Sequence, residues 1–358
     1  MSRVDPGDGR ALPTIGKEAE GKEQMPPLGP APEGQVDLAA GSVRRQRLRT
    51  VVDSLSVTGG LIVLIVIFSF ASPYFISTSN IYRIFQQVAV VAVLAVGQSF
   101  VIYTAGIDLS QAAIVGLGGV VGASIMVQSH DIAFGVLAAL AVCALAGAVN
   151  GLLITRAKLV PFIATLAMLG ICSGAALLYT GGQPVFNIPA AFNAFGSNGA
   201  YVFPFIVMVA AGIAIFFQFF STATRSGRYV YAIGSNERAA RIAGVRVNRT
   251  LVAVYALSGL LAGVAAMLNV AYVNTAQPTL DVNLELDAIA AVVIGGGSLF
   301  GGEGAIWGSM VGALLIAVLD NGTELLGIST YVQTILLGIV VVIAVAIDNL
   351  RRKERVAA

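Results

Sequence analysis

The sequence predicts an all-α integral membrane protein with about ten transmembrane helices. The chain is 57% hydrophobic and only 11% charged, and its mean hydropathy of +0.85 is rare among soluble domains. Apolar segments of about 20 residues recur along it, which is the length a helix needs to cross a bilayer. Spans are predicted at 53–72, 84–104, 110–128, 132–155, 160–180, 200–220, 251–272, 286–298, 304–320 and 331–348.

One of these segments, 286–298, is too short to cross a ~30 Å hydrocarbon core as a straight helix. We expect a short or broken helix there, packed inside protein, because exposed irregular backbone is not tolerated in lipid. The transmembrane domain is predicted to cover residues 51–350.

Two terminal segments flank this domain. Residues 1–50 are rich in Pro, Gly and Glu and contain no apolar signal-peptide core, so they are predicted to form a disordered tail. The tail ends in a basic cluster, Arg44, Arg45, Arg47 and Arg49, which is typical of a start-transfer helix whose N-terminus stays in the cytoplasm. Residues 351–358 form a second predicted cytoplasmic tail.

The positions of the charges predict the orientation. With the N-terminus inside and spans alternating, Arg83 is the only one of the 21 Lys and Arg residues predicted to lie outside. This positive-inside bias supports the span assignment and places both termini in the cytoplasm. The outer segments, Gly181–Gly199 and Asn274–Leu286, are polar or acidic.

The cytoplasmic loop 221–250 carries six arginines and a short predicted helix at Asn236–Gly244. Asn, Glu, Arg and Gly follow the order expected for an N-cap, first turn, last turn and C′ residue. A short charged helix with small apolar residues suits docking of a soluble partner. The alternative is an amphipathic helix lying on the membrane surface. The candidate docking residues are Asn236, Glu237, Arg238, Ala240, Arg241 and Gly244.

Polar side chains within the apolar bundle form a second group. In the GIDLS segment, Asp108 or Ser110 is predicted either to cap the helix that begins near Gln111 or to act in gating or the transport path. Polar residues in spans also serve as interhelical hydrogen-bond partners. The candidates for the path or gate are Gln98, Asp108, Ser110, Asn150, Thr165 and Gln333.

The chain also suggests an inverted repeat. The fourth and ninth spans both end in Asn-Gly, at Asn150 and Asn321, and Gly-rich junctions precede both halves. Halves of opposite orientation place a transport path at their interface. Gly, Ala and Leu bias could produce the same similarity.

Several chemistries are excluded or disfavoured. The Gly-rich run 295–304 lacks the order of a phosphate-binding P-loop, so the chain has no ATPase site of its own, and close helix packing explains the glycines better. His130 is the only histidine, and Cys143 and Cys172 lie inside spans, so neither a catalytic nor a metal site is expected. Nothing indicates nucleic-acid binding. A solute transporter driven by a separate motor is expected; an ion-coupled secondary transporter, or a passive channel or scaffold, is the alternative.

Four separated stretches then resemble one family. AVGQSFVIYTAGIDLS, NGLLITRAKLVPFIATLAMLGICSGAALLYTGGQPV, SGRYVYAIGSNERAARIAGVRV and ELDAIAAVVIGGGSLFGGEGAIWGSMVGALLI are similar, in order, to the permease subunits of bacterial ribose-type ABC sugar importers. The resemblance covers roughly Val57 to Arg352.

The resemblance implies a type II-like importer in the bacterial cytoplasmic membrane. Two permease copies would form the path, a partner ABC ATPase would bind ATP and Mg²⁺, and an extracytoplasmic sugar-binding protein would deliver a monosaccharide-like solute. The segment Gly234–Gly244 matches the family's coupling-loop position. The match leaves open which sugar is carried, and it transfers no single role to Asp108.

Overall fold

The computed structural model describes residues 57–200, 203–279 and 283–357, and they fold almost entirely as helices. The elements are α1 (Val57–Ala71), α2 (Thr78–Tyr103), α3 (Gln111–Ser129), α4 (Ile132–Thr155), α5 (Pro161–Thr180), α6 (Ala190–Ser197), β1 (Gly199–Ala200), β2 (Phe203–Pro204), α7 (Phe205–Ala223), α8 (Arg225–Ser235), α9 (Glu237–Ile242), α10 (Val247–Val273), α11 (Leu284–Ile294), α12 (Ile306–Leu325) and α13 (Thr330–Ala357).

Seven helices among the described residues are long and apolar enough to cross a membrane: α2, α3, α4, α5, α7, α10 and α12. Shorter apolar stretches, Val57–Ala71 and Thr330–Ala346, fall on two further predicted spans. The predicted short helix is α11, whose 11 residues extend about 16 Å at 1.5 Å per residue. The all-helical class is therefore confirmed, whereas the count of about ten spans and the inverted repeat are not.

Several predicted boundaries shift. Loop 221–250 contains α8 in addition to the predicted short helix, and α10 begins at Val247. The predicted C-terminal tail is not a separate segment, because α13 continues to Ala357. The predicted tail 1–50, with its arginine cluster, lies outside the described residues.

The helix α2 occupies the centre of the bundle, with 83% of its most apolar stretch buried. It contacts α7, α10, α11 and α12. The closest pair is α4 with α10, where a Cβ on Gly147 would meet the backbone of Gly259 and the carbonyl of Tyr255. Small residues at such a crossing let two backbones approach closely.

The two predicted outer segments lie at the same end of the bundle. Val185 and Ala276 form an antiparallel bridge, with N···O distances of 2.8 and 3.0 Å. The short helix α6 and the two-stranded hairpin β1–β2 lie in the first of these segments, between α5 and α7. This backbone bridge places both segments at one end of the bundle, as the alternation of spans predicted from the charges requires.

Candidate functional site

The first candidate site is a two-helix segment, Thr224–Gly244, between α7 and α10. Thr224 caps α8 by accepting a hydrogen bond from the Gly227 amide at 3.0 Å. The inner face of α8 buries Gly227, Val230 and Ile233, and the turn at Ser235 and Asn236 leads directly into α9. We call Thr224–Gly244 the coupling segment.

The helix α9 has the predicted capped structure. The Oδ1 atom of Asn236 accepts a hydrogen bond from the Ala239 amide at 3.0 Å. Glu237 and Arg241, one turn apart, form an ion pair at 2.7 Å with both side chains about half exposed. Gly244 follows the helix with φ of 84°, a left-handed conformation that favours glycine. The local sequence alone therefore specifies this helix.

The exposed face of α9 differs from the predicted set in two residues. Ala240 is only 5% exposed and packs with Ile233, Val245 and Val247. It anchors α9 to the bundle, so its assignment as a contact residue for a partner is wrong. Ile242 was not among the candidates, yet 88% of its surface is exposed. It lies beside the exposed Arg238, so this face offers one large apolar side chain within a charged surface.

A cavity of about 740 Å³ separates α9 from the ends of α2 and α4. Its lining carries hydroxyl, amide and charged groups, contributed by the coupling segment, the residues after α2 and α4, and the start of α10. They include Thr104, Thr155, Lys158, Asn236, Glu237 and Arg241.

The second candidate site is a buried polar cluster around Asp108, in the linker between α2 and α3. The Asp108 Oδ1 atom accepts bonds from the Ser110 amide at 3.0 Å and hydroxyl at 2.6 Å, and Oδ2 accepts one from the Ser258 hydroxyl at 2.9 Å. Asn150 donates to the Ser110 hydroxyl at 2.9 Å, and Gln111 donates to the Ser258 hydroxyl at 2.8 Å. All five side chains are fully buried.

The side-chain hydrogen bonds between members of this cluster converge on the carboxyl group. Two amides donate to two hydroxyls, and the hydroxyls donate to Asp108, so the cluster joins α3, α4 and α10. Burial raises the pKa of the Asp108 carboxyl, while the hydrogen bonds from Ser110 and Ser258 lower it. These hydrogen bonds are shielded from solvent and connect three helices, so the cluster holds the helices together.

The structure bears on one of the two roles predicted for Ser110, the capping of α3. The helix α3 begins at Gln111 as expected, and Ser110 occupies the N-cap position, but its side chain makes no capping bond. The hydroxyl donates to Asp108 instead. The capping hypothesis is therefore wrong for the Ser110 side chain.

The other path candidates divide into two groups. Asp108, Ser110 and Asn150 come together, and Thr165 of α5 joins them by donating to the Ile107 carbonyl at 3.3 Å. Gln98 is fully buried within α2, and its amide has no hydrogen-bond partner among the described residues. Gln333 is at the start of α13 and donates to the Ile328 carbonyl at 3.2 Å, far along the chain from the cluster.

Two members of the cluster, Ser258 and Gln111, were missed as site residues. A serine inside the long apolar helix α10 was the available signal, because polar residues in a span usually face the interior of a bundle. Among the described residues, no group of His, Cys, Asp and Glu side chains is placed to hold a metal ion.

These features define a polytopic membrane protein with a short, capped and charged helix between two of its long apolar helices. A family model described as "Branched-chain amino acid transport system / permease component" matches residues 80–345. The chain belongs to this family, and within it to the ribose-type permeases of ABC sugar importers that its motifs resemble.

Relatives of known name extend over most of the chain. The ribose import permease protein RbsC of Escherichia coli K12 is 43% identical over 293 residues, covering 81% of this chain and 91% of the relative. The same protein of Bacillus subtilis 168 is 41% identical over 295 residues, with the same coverage. The fructose import permease protein FrcC of Rhizobium meliloti is 38% identical over 288 residues, covering 78% and 80%. No solved structure matches the chain.

Proposed function

We propose that this chain is the membrane-spanning subunit of an ATP-driven importer that moves a monosaccharide, or a similar small polyhydroxylated solute, into the cell. The observation that carries the proposal is the 43% identity to a ribose import permease over 293 residues. Relatives named for ribose, allose and fructose span several sugars, so the proposal names a class of solute. The sparse charge of the bundle agrees with a neutral solute.

The proposed motor is a separate cytoplasmic ABC ATPase that binds ATP and Mg²⁺ and docks on α9. The sequence contains no P-loop pattern. The helix α9 is capped, charged and exposed, and Ile242 offers a side chain that a partner can bury. Arg238, Glu237 and Arg241 would supply the polar part of this contact.

Further partners follow from the same family membership. We propose a second permease copy, and an extracytoplasmic sugar-binding protein that docks at the end formed by residues 181–199 and 274–286. The chain would lie in the bacterial cytoplasmic membrane with both termini in the cytoplasm. The arginine distribution of the sequence supports this orientation.

The finer architecture is also a proposal: a type II-like permease of about ten spans, with α1, α11 and α13 added to the seven long helices. An inverted repeat is supported by Asn150 and Asn321, which both follow the same Asn-Gly pattern. Each is buried and bonds to another helix, Asn150 to Ser110 and Asn321 to Asn80. The path or gate would include Gln98, Thr165 and Gln333 as well as the Asp108 cluster.

The test is reconstitution in lipid vesicles. The permease, its ATPase and its binding protein should together accumulate radiolabelled sugar when ATP is supplied, and none of the three should do so alone. Uptake by the permease alone in response to an ion gradient would establish the ion-coupled alternative. Flux that is indifferent to nucleotide would indicate a passive channel.

The docking assignment has its own test. We expect Glu237→Gln and Arg241→Gln each to abolish sugar-stimulated ATP hydrolysis. The exposed pair stabilises α9 by no more than about 0.5 kcal/mol, so loss of the helix cannot explain such an effect. Arg249→Gln, a charge change on α10 outside α9, is the matched control. Unchanged stimulation in both α9 variants would contradict the docking assignment.

A further inference from the structure

A push on α9 has to reach the helices that open and close the path, and the chain holds a continuous set of contacts that can carry it. This inference rests on the proposed docking of the ATPase at α9. It concerns the linker Tyr103–Ser110, which extends from the last residue of α2 to the Asp108 cluster.

The beginning of this linker, at Tyr103, is in direct contact with the coupling segment. The Tyr103 and Tyr231 rings stack with centroids 5.1 Å apart and an interplanar angle of 21°. The Tyr231 hydroxyl donates to the Gly304 carbonyl at 3.3 Å, and the Gly302 amide donates to the Tyr103 carbonyl at 2.9 Å. The coupling segment, the end of α2 and the Gly-rich loop before α12 therefore meet at one joint.

Glycine is required at this joint. A Cβ on Gly234 would overlap the Tyr103 carbonyl oxygen and press on the Gly302 amide, and a Cβ on Gly304 would overlap the Tyr103 ring. Gly302 also has φ of 79°, a conformation that L-residues seldom adopt. The Gly-rich run thus lets three backbone segments approach within contact distance, which leaves little room for one to move without the others.

The linker itself is short and internally bonded. The amides of Thr104, Ala105 and Gly106 donate to carbonyls of the last turn of α2 at 3.1, 2.8 and 3.0 Å. The Ile107 carbonyl lies 3.3 Å from the Thr165 hydroxyl of α5, which also lies 3.0 Å from the Pro161 carbonyl of its own helix. Asp108 accepts bonds from Ser110 within the linker and from Ser258 of α10, and Asn150 of α4 donates to Ser110. A tethered segment of this kind transmits displacement rather than absorbing it.

We propose that the linker Tyr103–Ser110 is the transmission element of the transporter, and that Asp108 is a positioning residue that ties the linker to α3, α4 and α10. Movement of α9 reaches Tyr103 through Tyr231 and Gly234, and then reaches the bundle through Asp108 and Ile107. Two motifs separated by more than a hundred residues in sequence, GIDLS and the coupling segment, thereby act on one another.

The experiment uses the complete transporter reconstituted in vesicles and measures sugar moved per ATP hydrolysed. Asp108→Asn keeps the shape of the side chain but replaces one of the two oxygens that accept the serine hydroxyls with an NH2 group, which cannot accept them. We expect at least a tenfold fall in sugar moved per ATP with ATPase binding close to wild type. The thermal unfolding midpoint of the permease should fall as well, because a buried hydrogen bond is mispaired. Ser258→Ala, which removes one of the bonds, should give a smaller fall in the same direction.

Thr323→Val is the matched control, because it removes a buried hydroxyl that donates to the Leu319 and Asp320 carbonyls of its own helix, near the opposite end of α12 from the Gly-rich loop. This control variant should move as much sugar per ATP hydrolysed as the wild type. An unchanged ratio in Asp108→Asn, or a fall matched by loss of ATPase binding, would overturn the proposal. If Asp108→Asn does not insert, the result with Ser258→Ala decides between the same outcomes.

A double-mutant cycle then tests whether the two ends of the linker act in series. Tyr231→Leu removes the ring stacking and the hydrogen bond at the joint. If the two ends act in series, the double variant Tyr231→Leu, Ser258→Ala should move as much sugar per ATP as the more severe of the two single variants. Losses that multiply would show independent effects and overturn the proposed path. Failure of the wild-type permease to bind any ATPase would instead refute the proposed function and not this inference alone.

Discussion

The exposed isoleucine on α9 gives the sharpest test of docking, because a soluble partner that binds this face would bury a large apolar side chain. Ile242 is 88% exposed. Replacing it by Ala removes three methyl or methylene groups, each worth about 0.8 kcal/mol when buried. Scaled by the exposed fraction, burial against a partner contributes about 2 kcal/mol per docking site. That corresponds to about a 30-fold change in the dissociation constant.

The assay is binding of purified ATPase to the permease in lipid nanodiscs, with the dissociation constant measured for wild type, Ile242→Ala and Ile242→Asp. We expect about 30-fold weaker binding for Ala, and weaker still for Asp, because it would place a carboxylate in an apolar contact. Tyr331→Ala is the control, because Tyr331 is 84% exposed but lies at the start of α13, away from α9. Binding within about threefold of wild type in both Ile242 variants would refute the reasoning.

Two further predictions concern stability. Asn236→Ala removes the side chain that caps α9 and should destabilise this helix by about 1 kcal/mol. Hydrogen exchange of the α9 amides should then be about fivefold faster. Asn236→Asp keeps a hydrogen-bond acceptor, so its amides should exchange like those of the wild type, and equal exchange in all three proteins would contradict the capping role. Asn80 and Asn321 pair through both amides at 2.8 and 3.0 Å and are buried, so Asn80→Leu should lower stability by about 1–3 kcal/mol because it strands the partner amide. In thermal unfolding, the double variant with Asn321→Leu should be more stable than the sum of the two single changes implies, whereas strict additivity would argue against the pair.

The fold class and the helix α9 could be predicted because their causes are local. Spans follow from runs of apolar residues, and α9 follows from one Asn, one Glu–Arg spacing and one Gly within nine residues. The face of α9 that is exposed was harder to predict from the sequence. Whether Ala240 or Ile242 faces outward depends on Val245 and Val247, which belong to the next turn and helix, so the exposed face was only partly assigned.

The buried cluster was predicted in part for a different reason. Asp108, Ser110 and Asn150 were each conspicuous as polar residues near apolar spans, but their meeting with Ser258 depends on contacts across about 150 residues of chain. Gln98 looked equivalent in sequence, yet it lies in the central helix, and its amide has no hydrogen-bond partner in the described part of the chain. Residue type identifies candidates in an apolar bundle; only the packing of helices decides which of them share a site.

The same contacts constrain which surfaces can move during transport. The helices α4 and α10 approach so closely at Gly147 and Gly259 that a Cβ on either would overlap the other backbone, and sliding between them would lose this packing. The Asp108 cluster adds α3 to the pair through bonds that are fully buried. These three helices therefore behave as one body. Alternating access has to come from displacement of this body against other surfaces, such as those of α5 and α7, which bury little of their apolar length within the chain.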